Sequence, residues 1–83
     1  MKSLTEKKAY GQVQLRLKEF MDERNIKRGT LARHIDTRFE VVDHWYKSSV
    51  NNIDLDVLAR ICCALECDIS DLLVYRSAED TNE

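Results

Sequence analysis

The segment from Ile26 to Leu73 constrains the fold more than any other part of this chain of 83 residues. It begins IKRGTLARHIDTRFEVVDHWYK, in which Leu31 and Ile35 are one helical turn apart and therefore share a face. The helical pattern is then interrupted, and Val42 and Trp45 resume it three residues apart. This spacing predicts two short helices that cross at a tight turn, which is a helix-turn-helix arrangement.

The composition favours helices and a single small domain. The chain contains no proline and only two glycines, whereas folds rich in strands usually need more turn residues. A chain of this length buries roughly 60% of its unfolded surface, which supports one small core but not a deep enzymatic cleft. No apolar run approaches the ~20 residues that cross a bilayer, and the basic N-terminus lacks the apolar core of a signal peptide. We therefore expect a cytoplasmic protein.

A first helix is predicted before the helix-turn-helix. The apolar residues Val13, Leu17, Phe20 and Met21 follow helical spacing and indicate its buried face. Val13, Leu15 and Leu17 also alternate along the chain, so the first turn of this helix could be an extended segment instead. The sequence leaves both possibilities open.

The second and third helices have recognisable boundaries. Helix two is predicted over residues 28–35, with Ala32 as a small residue at the crossing point. Asp36 stands where the chain must turn sharply, and aspartate tolerates the left-handed conformation better than most residues. Thr37 is predicted to cap helix three, with Glu40 completing a capping box three residues later.

Two further helices follow a polar loop. Asp54 and Asp68 are predicted N-caps of helices four and five, and Asp71 lies in the first turn of helix five, where the dipole favours a carboxylate. The predicted buried stripe of helix four consists of Leu55, Leu58, Ile61, Cys62 and Leu65. The residues predicted to close the core from helix five are Ile69, Leu72 and Leu73.

The chain resembles the Cro/CI-type helix-turn-helix family of phage repressors over about residues 13–75. The resemblance rests on the LARHI motif of helix two, on Trp45, and on the segment IDLDVLARICCALECDISDLL. It implies an all-α, five-helix, lambda-repressor-like DNA-binding domain, in which helices 2 and 3 form the helix-turn-helix. It also implies that helix three enters a DNA major groove.

The expected domain occupies residues 12–75, between a flexible N-terminal segment at 1–11 and a flexible tail at 76–83. The resemblance also implies a set of site residues by position. The predicted DNA-binding residues are Arg28, Thr37, Arg38, Phe39, Glu40, Asp43, His44, Lys47, Ser48 and Asn51. Arg28, at the start of helix two, and Lys47 would contact phosphate, because a helix N-terminus suits an anion and a cation attracts one. Ser48 and Asn51 belong to the loop after helix three, which often touches the DNA backbone.

The base-reading group would consist of Arg38, Phe39, Glu40 and His44, with Asp43 more peripheral. Glu40 and Asp43 depart from a purely basic recognition helix, since carboxylates repel phosphate. A carboxylate can nevertheless accept a hydrogen bond from cytosine N4, and Phe39 could pack on a thymine methyl group. Tyr46 stands where the family often has glutamate.

The charge distribution agrees with this assignment. Residues 1–52 contain 11 Lys/Arg against 7 Asp/Glu, a net charge of +4, whereas residues 53–83 contain 2 against 8, a net charge of −6. The basic part holds the predicted DNA-reading helices, and the acidic part should face away from phosphate. Such a split is also compatible with ordinary surface charge.

Neither a cofactor, a metal nor a catalytic group is predicted. A structural zinc site usually needs four ligands in paired spacing, which Cys62, Cys63 and Cys67 do not provide. We expect these cysteines to be small apolar residues without a disulfide. The carboxylates of the C-terminal part are explained by helix starts, and there is no glycine-rich phosphate loop, so we expect no enzyme.

The predicted function is that of a sequence-specific transcriptional regulator, a repressor that binds double-stranded DNA. A single small domain contacts few base pairs, so a homodimer on a palindromic operator is expected. The alternative is a protein-partner module, such as an antitoxin or anti-repressor, in which the acidic residues meet a basic partner. Steep salt dependence of binding to random duplex would favour the first interpretation.

Overall fold

A computed structural model of the chain describes residues 9–78, which form five helices and a two-stranded sheet. The elements are β1 (Gln12–Leu15), α1 (Leu17–Glu23), α2 (Arg28–His34), α3 (Phe39–Tyr46), α4 (Leu55–Leu65), α5 (Ile69–Leu72) and β2 (Leu73–Arg76). The flexible segments predicted at 1–11 and 76–83 lie mostly outside the described residues. The five predicted helices are therefore present, and the domain is mostly helical.

The small sheet corrects the prediction of an all-α fold. β1 pairs with β2 in antiparallel register, with Gln12 opposite Arg76 and Leu15 opposite Leu73. Of the two possibilities for the N-terminal segment, the extended one is correct. Val13 lies in β1 and not in the first turn of a helix, and its side chain is 64% exposed. The sheet joins the two ends of the described chain beside α1 and α5.

A glycine makes this strand pairing possible. Gly11 is buried, and a Cβ atom at this position would overlap the backbone carbonyl of Arg76. Its amide donates a hydrogen bond of 2.9 Å to the hydroxyl of Tyr75. No other residue fits this close approach of two backbones without moving one of them.

One buried cluster holds all five helices together. Its members are Leu17, Met21, Leu31, Ala32, Ile35, Val42, Trp45, Leu58, Ile61, Leu65 and Leu72. The predicted common burial of the helix-turn-helix with the stripe of α4 is confirmed. Two predicted core residues are wrong, since Leu55 is 76% exposed and Ile69 is 57% exposed. Both stand at the first position of their helix, next to an exposed N-cap, and therefore at the edge of the core.

The caps of α4 and α5 confirm the predicted helix starts. The Asp54 carboxylate accepts hydrogen bonds from the amides of Asp56 at 2.8 Å and Val57 at 3.3 Å. In the first turn of α5, the Asp71 carboxylate accepts a hydrogen bond from the amide of Asp68 at 2.9 Å. These bonds satisfy amides that have no partner within the helix.

The way in which α4 ends explains why Cys62 and Cys67 are half-buried. Glu66 adopts the left-handed conformation, with φ of 52°, and the Cys67 amide donates to the Cys62 carbonyl at 3.1 Å. This is a Schellman termination, which usually brings the side chains at these two positions together on the apolar side. Cys62 and Cys67 are accordingly half-buried against the core.

Truncation of Trp45 tests this packing. The side chain is 3% exposed, so Trp45→Ala should lower the free energy of unfolding by about 3–5 kcal/mol, enough to unfold a domain of this size. Leu55→Ala is the matched control, and its exposed side chain should cost less than about 0.5 kcal/mol. Urea or thermal unfolding measures both. An unchanged melting curve for Trp45→Ala would contradict the packing described.

Candidate nucleic-acid interface

The turn between α2 and α3 is built by the backbone. Asp36 has a φ of 58°, so it adopts the left-handed conformation that its position predicted. The amide of Thr37 donates to the carbonyl of Ala32 at 2.9 Å, which closes the turn. The chain then enters α3 from the extended conformation of Arg38. This sharp reversal sets α3 across α2.

The predicted capping box of α3 is wrong. Helix α3 begins at Phe39 with Arg38 as its N-cap, and within the described residues no side chain caps it. Thr37 stands one position before the N-cap. Its amide closes the turn, and the residue is half-buried. Glu40 still lies in the first turn, where a carboxylate interacts favourably with the helix dipole.

Arg60 of α4 fixes the turn from behind, a role that the sequence did not suggest. Its guanidinium donates to the carbonyl of Ile35 at 2.9 Å and to that of Asp36 at 3.4 Å. Asp56, one helical turn earlier, forms an ion pair of 2.9 Å with the Arg60 Nε. The carbonyls at the end of α2 thus gain a donor that the helix itself cannot supply.

Helix α3 has one buried face and one exposed face. Val42 is fully buried and Trp45 nearly so, in agreement with their predicted inward orientation. The predicted base-reading side chains all lie on the exposed part of the helix or at its N-cap: Arg38, Phe39, Glu40 and His44. Phe39 is 47% exposed, so its ring is accessible to a ligand. All four side chains are therefore accessible to solvent on α3 or at its start.

Asp43 joins two of the predicted phosphate-binding cations. Its Oδ1 accepts from Arg28 Nη1 of α2 at 2.5 Å, and its Oδ2 pairs with Lys47 Nζ at 3.1 Å. The Asp43 side chain is 16% exposed. Hydrogen bonds from Lys47 and Arg28 hold the pKa of the Asp43 carboxyl below its usual value.

Aromatic rings complete the surroundings of Arg28. Its guanidinium lies 4.8 Å from the centre of the Tyr46 ring and 5.6 Å from that of Phe39. The Tyr46 hydroxyl donates to Asp22 of α1 at 2.7 Å, and Lys18 pairs with the same carboxylate at 3.0 Å. Hydrogen bonds from Tyr46 and Lys18 lower the pKa of Asp22. Sequence reasoning missed Tyr46 as part of the site, although its spacing from Asp43 and Phe39 on one helix was visible.

The loop after α3 contacts the small sheet. Ser48 has a φ of 58°, and its hydroxyl donates to the carbonyl of Leu15 in β1 at 3.3 Å. Ser49 closes the helix end by donating from its amide to the carbonyl of His44 at 3.0 Å. Asn51 is exposed. The loop is thus tied to the small sheet, and its predicted contact with DNA backbone stays a prediction.

The described residues offer neither a group of metal ligands nor a helix that could span a membrane. Residues 9–78 contain no group of three or more His, Cys, Asp or Glu that could hold a metal ion. Cys62, Cys63 and Cys67 are free thiols, and burial raises the pKa of Cys67 to about 11, so it is a poor nucleophile near neutral pH. Among the described helices, none has the length and apolar character needed to span a membrane.

Comparison with known proteins agrees with this geometry. A family model described as the Cro/C1-type HTH DNA-binding domain matches residues 16–77. The crystal structure of transcriptional regulator VanUg, Form II, is similar to this chain with a TM-score of 0.64 and 21% sequence identity, over 92% of this chain and 99% of that chain. At this identity the similarity shows a shared fold alone. No curated protein sequence matches the chain.

The carboxylates of Asp22 and Asp43 predict that the stability of the fold depends on pH. Asp22 and Asp43 both have a pKa lowered from 3.8, by hydrogen bonds from Tyr46 and Lys18 to Asp22 and from Lys47 and Arg28 to Asp43, so these contacts stabilise the fold fully above that value. This stabilisation is lost as the pH falls through 3.8 and below, because protonation then removes the charges that the folded state favours.

The matching variant is Asp22→Asn combined with Asp43→Asn. It should be less stable than the natural chain near neutral pH and should lose less stability on acidification. Chemical unfolding followed across the acidic range checks this. Parallel acid profiles for the two proteins would show that these ion pairs do not contribute.

Proposed function

We infer that this chain, which belongs to the Cro/C1-type helix-turn-helix DNA-binding domain family, is a sequence-specific transcriptional regulator acting on double-stranded operator DNA. The observation that carries the proposal is the two-sided character of α3. Its inner face is buried in the core through Val42 and Trp45, while its outer face leaves polar and aromatic side chains in solvent. A helix held in this way can enter a major groove without rearrangement of the fold.

The proposed roles follow from the chemistry of each side chain. Arg38 can donate two hydrogen bonds to guanine, Glu40 can accept one from cytosine N4, and Phe39 can contact a thymine methyl group. His44, which is also exposed on α3, would complete the base-reading group. Arg28 would contact phosphate and thereby set the register of the domain without reading sequence.

The turn and the following loop would add contacts to the DNA backbone. Lys47 lies 61% exposed at the end of α3, where its ammonium group can reach phosphate. Thr37 in the turn and Ser48 and Asn51 in the loop carry neutral polar groups that can donate to phosphate oxygens. Such contacts position the protein and carry no sequence information.

The acidic part of the chain supports this orientation. Asp54 and Asp68 are exposed at the N-caps of α4 and α5, and Asp56 and Asp71 are exposed in the first turns of these helices. These carboxylates would be repelled by phosphate if the domain bound DNA through the starts of α4 and α5. The charge asymmetry of the sequence therefore favours binding through α2 and α3.

We further propose a repressor that acts as a homodimer on a palindromic operator and occludes a promoter. One domain of this size contacts a half-site only, and two-fold symmetry doubles both the contacts and the sequence read. The dimer would place its two α3 helices in successive major grooves about one helical turn apart.

A second candidate is a partner-binding module such as an antitoxin or anti-repressor. Leu55 and Ile69 favour it, because these apolar side chains are exposed among the carboxylates of α4 and α5. A basic partner with an apolar patch could cover this side. Binding to DNA and binding to such a partner use different faces and differ sharply in salt dependence.

Two substitutions distinguish phosphate contacts from base contacts. Arg28→Ala should weaken binding to every duplex about equally, because one phosphate contact is lost. It should also reduce the slope of the logarithm of the binding constant against the logarithm of salt concentration by about one unit. Glu40→Gln should instead relax preference at one base pair, by roughly 1–3 kcal/mol. Fluorescence anisotropy with selected and random duplexes over a range of salt measures both effects.

Two outcomes contradict parts of this proposal. If Glu40→Gln strengthens binding to all duplexes uniformly, Glu40 is a repulsive charge and not a base-reading group. Absence of any duplex binding at low salt would overturn the DNA-binding function and favour the partner module.

A further inference from the structure

The recognition helix α3 carries a carboxylate among the cations that would contact phosphate. Asp43 lies on the recognition helix, yet both of its oxygens are already paired, Oδ1 with Arg28 and Oδ2 with Lys47. Its side chain is only 16% exposed. A carboxylate so enclosed is badly placed to accept a hydrogen bond from a base, which was the role that its sequence position suggested.

Arg28 is held from more than one side. Asp43 accepts a hydrogen bond from Nη1, and the Tyr46 ring lies 4.8 Å from the guanidinium carbon. Tyr46 is itself fixed, because its hydroxyl donates to Asp22 of α1 at 2.7 Å. Three helices thus determine where one guanidinium lies.

The hold on Arg28 leaves most of its binding capacity free. A guanidinium has five N–H donors, and the contact with a ring face uses none of them. The Arg28 side chain remains 38% exposed. It also lines an open surface depression of about 400 Å³, together with Asp22, Lys27, Phe39 and Tyr46. The Asp22 carboxylate in this depression is already paired with Lys18 and with the Tyr46 hydroxyl, so a phosphate group can approach Arg28.

We propose that Asp43 and Tyr46 are positioning residues for DNA binding, which orient the Arg28 guanidinium for a backbone phosphate before DNA arrives. This inference rests on the proposed function. A long arginine side chain loses rotamer freedom when it binds, and a side chain ordered in advance loses less. Asp43 acts through Arg28 and does not itself contact a base.

The sign of one effect separates this role from a simple charge effect. A carboxylate near phosphate repels it, so charge alone predicts that removing the Asp43 carboxylate strengthens DNA binding. Positioning predicts the opposite, since Arg28 would lose its fixed orientation while its own charge is retained. The two explanations therefore predict opposite signs for the change in DNA affinity caused by removing the Asp43 carboxylate.

The experiment is a double-mutant cycle in binding to a fluorescent random-sequence duplex. Asp43→Asn should weaken binding about fivefold, an effect of about 1 kcal/mol. In an Arg28→Ala background the same substitution should no longer weaken binding, because the residue through which it acts is gone. Glu23→Gln is the control: it removes one carboxylate charge from an exposed side chain of α1 and should not weaken binding.

Tyr46→Leu provides an independent test that leaves every ionised group in place. It should also weaken binding of the duplex several-fold, and again not in the Arg28→Ala background. Unchanged or tighter binding by Asp43→Asn overturns the inference, as does an equal loss with and without Arg28. If Asp43→Asn does not fold, Tyr46→Leu decides in the same way. A natural chain that binds no duplex overturns the proposed function, and the inference with it.

Discussion

The burial of Trp45 and Val42 in the common core determines which face of α3 stays in solvent. Because these two side chains are almost wholly enclosed, the helix cannot rotate about its axis without exposing a large apolar area. Leu31 of α2 and Ile35, the residue that ends this helix, belong to the same cluster, so the angle between the two helices is set by packing as well as by the turn. Each exposed side chain of α3 therefore has a defined direction.

Polar contacts further restrict the orientation that core packing gives to α2, α3 and the turn between them. Arg60 reaches from α4 to the carbonyls of the turn, and Asp43 links α3 to Arg28 of α2. These groups are partly exposed, so each contributes little to stability by comparison with the core. Their effect is on orientation: they hold the turn and one cation of the interface in a single arrangement.

Local features of the chain were predictable because their physical causes are local. The left-handed Asp36, the caps at Asp54 and Asp68, and the inward pair on α3 follow from the conformational preferences of a few adjacent residues. The exposure of Leu55 was not predictable in the same way, since helical spacing gives the direction of a side chain but not where the core ends.

Long-range pairings were the part that sequence reasoning could not supply. Gln12 meets Arg76 across 64 positions, and no pattern within either strand identifies its partner. Gly11 held a signal, because an isolated glycine beside an alternating segment often marks a close backbone approach. The contacts of Arg28 with Asp43 and Tyr46 likewise depend on the crossing of two helices, which spacing along the chain predicts only approximately.

The central claim is that the outer face of α3, with the start of α2, is the surface that meets DNA. Amide chemical shifts of the uniformly ¹⁵N-labelled chain, followed during titration with duplex DNA at low salt, test it most directly. We expect shifts at Arg28, through α3 and in the loop that follows it, with α4 and α5 largely unchanged. Shifts confined to α4 and α5, or none anywhere, would contradict it.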